Sequence, residues 1–174
     1  MRHVNKASCL LVLTIPCFAN SNSVTENESI ISDEVDPYYN FIVGVSPFLG
    51  LLGFEYQSEN NAYGIGLPGR ISYRYYYEPY RDTKFWGMYL GRYSLDGTNN
   101  NKTYSHEGVN YSNVDRSYLG AGIGYRWQWP SGWNTSVSIA LEYSDDDYSN
   151  PATGQTAMDT GIMPFPGINV GYKF

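Results

Sequence analysis

The 174-residue chain has two cysteines and two histidines, more acids than bases, and no apolar run of the roughly 18 residues that a membrane-crossing helix needs. Each scarcity closes a class of function. Both cysteines, Cys9 and Cys17, lie in the opening "MRHVNKASCLLVLTIPCFA". That stretch has a basic start (Arg2, Lys6), an apolar run over residues 10–15 and a small residue, Ala19, where a signal peptidase would cut. It reads as a secretory signal peptide spanning residues 1–19. A mature chain starting at Asn20 carries no cysteine, which excludes disulfides and thiolate chemistry. Ile15-Pro16 is a poor lipid-attachment context for Cys17. Removing the signal takes away Arg2 and Lys6 but no acid, moving the net charge from −6 to −8. An acidic secreted chain is a poor partner for nucleic acid.

Aromatic residues are abundant at 17%, with 18 tyrosines, and glycine is equally numerous. Residues 20–37 are polar and acidic and read as a flexible leader. From Tyr38 onward the chain alternates. In "YLGAGIGYRWQW", Leu119, Ala121, Ile123, Tyr125, Trp127 and Trp129 share one parity, while Gly120, Gly122, Gly124, Arg126 and Gln128 share the other. After the turn at 130–132, Trp133, Val137, Ile139, Leu141 and Tyr143 oppose Asn134, Ser136, Ser138, Ala140 and Glu142. This is the period of a hairpin with one apolar and one polar face. The same reading predicts strands over 39–46, 51–57, 62–67, 70–77, 83–95 and 164–174, which makes eight with the hairpin. Tight turns at 58–61, 78–82 and 130–132 alternate with short connections and two long loops, 96–114 and 146–163.

An even strand number with turns at one end and long loops at the other predicts an all-β, eight-stranded antiparallel up-and-down transmembrane barrel over residues 38–174. The mean hydropathy of −0.41 fits, because only alternate residues would meet lipid. Trp127, Trp129 and Trp133 form the expected interfacial aromatic girdle. Glu55, Arg74, Arg126 and Glu142, with Lys173, fall on the inward parity and are expected to pair across the lumen. The shortness of the first two hairpins favours the competing fold, a soluble lipocalin-like barrel.

The stretch "GINVGYKF" resembles the C-terminal signal by which outer-membrane proteins are recognised during assembly: Ile168, Val170, Tyr172 and Phe174 match its alternating apolar and terminal aromatic positions, and Pro166 departs from it at the strand's expected start. With the signal peptide, the whole layout resembles the small eight-stranded bacterial outer-membrane barrels. The resemblance implies a location in the bacterial outer membrane, the barrel-assembly machinery as a partner during biogenesis, and outer-membrane lipid and lipopolysaccharide as surroundings.

Chemistry is sparse. His106 in "SHEG", with Ser105 or Ser112 and Glu107, is the one triad-like set, and adjacent residues are poor triad geometry. Asp145, Asp146 and Asp147 lack the glycine and closing glutamate of an EF-hand loop and read as solvated. Asn27, Asn101, Asn110 and Asn134 match the glycosylation pattern but read as polar loop and strand residues. Arg92 and Arg116 fall near the expected outer rim. No cofactor or metal is implied. The expectation is a non-enzymatic barrel with a structural or surface-interaction role through its two long loops. A narrow transport barrel for small or hydrophobic solutes is the alternative, and a lipid A-modifying enzyme ranks below both.

Overall fold

A computed structural model describes residues 36–97 and 103–174. Eight strands close into one antiparallel barrel: β1 (Tyr38–Ser46), β2 (Gly50–Ser58), β3 (Asn61–Leu67), β4 (Arg70–Tyr76), β5 (Thr83–Asp96), β8 (Asn113–Gln128), β9 (Trp133–Asn150) and β10 (Gln155–Lys173). A small hairpin, β6 (Tyr104–His106) and β7 (Val109–Tyr111), stands between β5 and β8. Neighbours around the wall are neighbours in sequence, and β1 closes on β10. The last residue takes part: Tyr39 and Phe174 exchange two backbone hydrogen bonds, at 3.1 and 2.9 Å, and stack their rings 6.2 Å apart. We call this end, which also holds the turns after β2, β4 and β8, the base, and the opposite end the mouth.

The pairing is staggered. Starting at Phe41, the paired residues run through Phe54, Ile65, Ile71, Leu90, Leu119 and Tyr143 to Ile162. Phe41 itself pairs with Tyr172, so one circuit climbs from 172 to 162 along β10. Such a stagger tilts the strands by about 35–45°. All eight side chains in that circuit are large, apolar and exposed. The outward apolar set on β9 runs from Trp133 to Tyr143. At about 3.4 Å per residue and that tilt, it spans roughly 25 Å of height. Above it the outward residues turn polar, with Asp145 and Asp147.

Four strands are short and four are long. β1 to β4 have 7–9 residues, whereas β5, β8, β9 and β10 have 14–19. The long strands rise past the short ones at the mouth as a four-stranded wall, which corrects the expected loop over 146–163. β9 continues to Asn150, β10 begins at Gln155, and residues 151–154 alone make the turn. Alternation vanishes there because both faces of the projecting hairpin meet water, while backbone pairing with β8 and within the hairpin continues. Pro164 and Pro166 therefore lie inside β10, not at its start. Of the loop expected over 96–114, Asp96 belongs to β5 and residues 113–114 to β8, and its described part holds the β6–β7 hairpin. The leader expected over 20–37 and the signal peptide fall almost wholly outside the described residues, as do Asn27 and Asn101.

Candidate functional site

The inward parity fills the lumen in three layers. Nearest the base, Glu55, Arg74 and Arg126 are each about 1% exposed. One Glu55 carboxylate meets both guanidiniums, through a pair with Arg74 and a 2.9 Å contact from Arg126 Nη1. The Tyr76 hydroxyl donates to the same carboxylate at 3.2 Å, and the Arg126 guanidinium lies 3.6 Å from the Tyr76 ring centroid. Arg126 also donates to Gln57 and to the Tyr38 hydroxyl. Two cations on one anion leave this layer one charge positive. Beside it Asn134 and Asn40 bond reciprocally, and Ser136 donates to Asn169 at 2.7 Å.

The middle layer is apolar and comes partly from a connection. The segment Pro47-Phe48-Leu49, between β1 and β2, folds into the barrel, where Phe48 is 0% and Leu49 1% exposed. Phe48 meets Phe85 and Tyr89 edge-on, both at 5.6 Å. Its seat is made by small inward residues: a side chain at Gly87 would strike the Phe48 ring, and one at Gly66 would strike the Leu49 backbone. The Ser46 hydroxyl accepts hydrogen bonds from the backbone N–H groups of Phe48 and Leu49. Gly50, at φ +68°, returns the chain to the wall in a conformation that side chains disfavour.

The third layer lies at the mouth around Glu142. Its carboxylate takes Arg70 at 3.3 Å, Arg116 at 3.7 Å and the Tyr89 hydroxyl at 3.0 Å. Arg70 further donates to the Tyr118 hydroxyl and to the backbone oxygens of Ser46 and Pro47, tying the inserted segment to the wall. Arg116 also bridges Asp146 at 3.3 Å. Burial pushes the Asp146 carboxyl above the usual carboxylate range; Arg116 opposes this, while Asp159, Asp145 and Glu142 add to it.

Of the charges expected in the lumen, Glu55, Arg74, Arg126 and Glu142 all stand there, in two separate groups divided by the apolar layer. Lys173 lies at the base over the Tyr38 ring, 4.6 Å away. Trp127, Trp129 and Trp133 are exposed at the base. There Trp133 meets Tyr172 edge-on at 5.2 Å and Trp127 packs on Tyr125 at 4.9 Å. Ile168, Val170, Tyr172 and Phe174 all face outward. Asn134 is a buried lumen residue. The outward Arg92 is exposed at the mouth end of β5.

His106 is stacked on Tyr148 at 4.8 Å and lies 3.9 Å from Asp159, so its partners come from β9 and β10. Ser105 pairs with Asn110 across the small hairpin, and the Ser112 backbone bonds to Ser149 and Gly97. The triad-like set of the sequence is thus spread along a hairpin rather than converging. Asp145 and Asp147 project from the outer face of the wall and Asp146 from its inner face. Among the described residues, no group of three or more histidine, cysteine, aspartate or glutamate side chains is arranged to hold a metal ion.

The inserted segment and the roles of Arg70 and Arg116 around Glu142 are what sequence reasoning missed. An apolar tripeptide in a connection, opposite inward glycines at 53, 64, 66 and 87, was the available signal. In comparisons with known proteins, the chain matches no family model, no curated protein and no solved structure.

Proposed function

We propose that the chain is a non-enzymatic integral barrel of the bacterial outer membrane that presents its projecting wall and β6–β7 hairpin at the cell surface. The observation that carries this is the unbroken circuit of exposed apolar residues from Phe41 to Ile162 around a lumen in which buried charges and hydrogen-bonded polar side chains lie on either side of a small apolar layer. A water-soluble barrel would bury its apolar side chains inside; here the polarity is inverted, as lipid requires. The band is roughly as tall as the apolar girdle of outer-membrane barrels, and its aromatic base suits a membrane interface. The short strands, which favoured a soluble barrel in the sequence, sit beside a wall long enough to cross.

The filled lumen argues against a diffusion pore, since an eight-stranded interior is just wide enough for side chains to fill and here also takes in Phe48 and Leu49. Residues of the wall above the apolar band, with Asp115, Asp145 and Asp147 outward, would stand among lipopolysaccharide head groups. The test is fractionation of expressing cells followed by electrophoresis of heated and unheated detergent extracts. Recovery with outer membranes and a heat-dependent mobility change are expected. Recovery in the soluble fraction would refute the reading.

A further inference from the structure

The projecting wall has an unpaired edge. Pairing between β1 and β10 stops at Val45↔Ile168, yet β10 runs on to Gln155 in unbroken register with β9. Phe174 sends its N–H to Tyr39 on β1, while Lys173 sends its own to Gly132 on the β9 side. By this alternation the backbone N–H and C=O groups of the even-numbered residues face the β1 side. They fall into two sets. Pro164 and Pro166, opposite Leu141 and Ile139 of the apolar band, have no N–H to leave unpaired at that level. Thr156, Met158 and Thr160, opposite Ser149, Asp147 and Asp145 above the band, keep theirs. Among the described residues, no backbone group bonds to these three from the free side. Met158 is 68% exposed.

The charge beside this edge has one sign. The three rows that cross the wall at Asp145, Asp146 and Asp147 also hold Asp115 and Asp159, against two guanidiniums, Arg92 and Arg116. The net charge of −3 stays negative even if His106 carries a proton. In the middle row Arg116 is taken up by Asp146 and by Glu142 below it. Asp159 ends that row at the free edge, 57% exposed, with His106 3.9 Å away.

We propose that the upper edge of β10 is a docking site for an extended basic segment of another polypeptide, which adds to the wall as its fifth strand. The backbone of that segment would pair with Thr156, Met158 and Thr160. A lysine or arginine would stand opposite Asp159, at the open end of a row in which two carboxylates share one guanidinium. The inference rests on the proposed outer-membrane orientation, which puts this edge outside the cell. A second copy of the chain is disfavoured as the occupant. Strands tilted by about 35–45° in two barrels of one membrane would cross at roughly twice that angle instead of pairing, and the copy would bring an equally negative wall.

The probe is a blocked peptide of alternating threonine and valine with a central lysine, added to the full-length protein in phosphatidylcholine nanodiscs. One analogue has glutamate at the centre, and another has N-methyl groups on alternate amides. Hydrogen exchange at Thr156, Met158 and Thr160 should slow about tenfold when the lysine peptide fills nine sites in ten. The glutamate peptide should bind roughly fivefold more weakly, as cross-strand charge pairs warrant, and the N-methylated one should give no slowing. Asp159→Asn should narrow the gap between the two charged peptides. Thr160→Pro repeats what Pro164 and Pro166 do lower on the strand, and should abolish the slowing at Thr156 and Met158. Both variants should keep a heat-dependent mobility. No slowing with the lysine peptide, equal binding of the two charged peptides, or slowing that persists in Thr160→Pro would overturn the site. Slow exchange of the same amides without peptide, growing with the number of barrels per nanodisc, would overturn it in favour of a second copy. Failure to enter nanodiscs at all would instead refute the membrane reading.

Discussion

Replacing Glu55 by Gln tests the charge arithmetic of the lumen. The carboxylate is 1% exposed and is shared by Arg74 and Arg126, themselves about 1% exposed. Gln keeps the shape and one acceptor but removes the charge, so the layer goes from one net positive charge to two. Removing one partner of a buried ion pair costs about 3–5 kcal/mol, because the remaining charge stays desolvated. Glu142→Gln is the internal control. Its carboxylate also meets two arginines, but Arg116 is partly exposed and keeps Asp146 as a second carboxylate. There the loss should be closer to the 1.5–3 kcal/mol (roughly) of a charged hydrogen bond. Urea unfolding in lipid vesicles, followed by tryptophan fluorescence, reads both as midpoint shifts at constant slope. Adding Arg74→Met to Glu55→Gln should recover stability, since it withdraws one stranded cation. A Glu55→Gln cost below that of Glu142→Gln, or no recovery in the double variant, would refute the claim that this layer is buried and charge-coupled.

Three further outcomes follow from the same structure. Ile139→Arg places a charge on the outward face near mid-band and should cost about 2–4 kcal/mol in vesicle refolding; nitroxide labels along 133–143 should alternate in oxygen accessibility, and uniform accessibility would contradict the face assignment. Phe48→Ala should cost about 3–5 kcal/mol, as a buried aromatic truncation does, yet planar-bilayer recordings should show no open pore, because Phe85, Tyr76 and the Glu55 layer still fill the lumen. His106→Ala should leave lipid A composition unchanged by mass spectrometry, since the imidazole is engaged by Tyr148 and Asp159.

The strands and their facing were legible wherever one face is apolar and outward and the other lines the lumen, because that contrast writes itself into alternate residues; the hairpin around Trp127 to Tyr143 is the clearest case. Legibility failed where the contrast disappears. Above the apolar band β9 and β10 carry polar residues on both faces, so their pairing leaves no periodic trace, and Asp145 to Asp147 read as loop. It failed again at Pro47 to Leu49, because a connection is expected on the surface and nothing local says that this one turns inward. That charges point inward follows from parity alone. Which charges meet does not: Glu55 finds Arg126 across 71 positions of chain through the stagger of the closed wall, a quantity that belongs to the whole circuit and to no single strand.

That stagger also limits how the chain can change in length. Deleting one residue from β8 or β9 would turn every side chain beyond the deletion to the opposite surface, putting Arg126 or Glu142 on the outer apolar face and a leucine or tyrosine into a lumen with no space for it. Two-residue deletions preserve the facing but shift the circuit, separating Glu55 from Arg126 unless another strand shifts to match. Lineages carrying this barrel should therefore vary in length at the 151–154 turn, which lies outside the paired register. Within the apolar band they should keep strand lengths fixed, or change them by even numbers on several strands together.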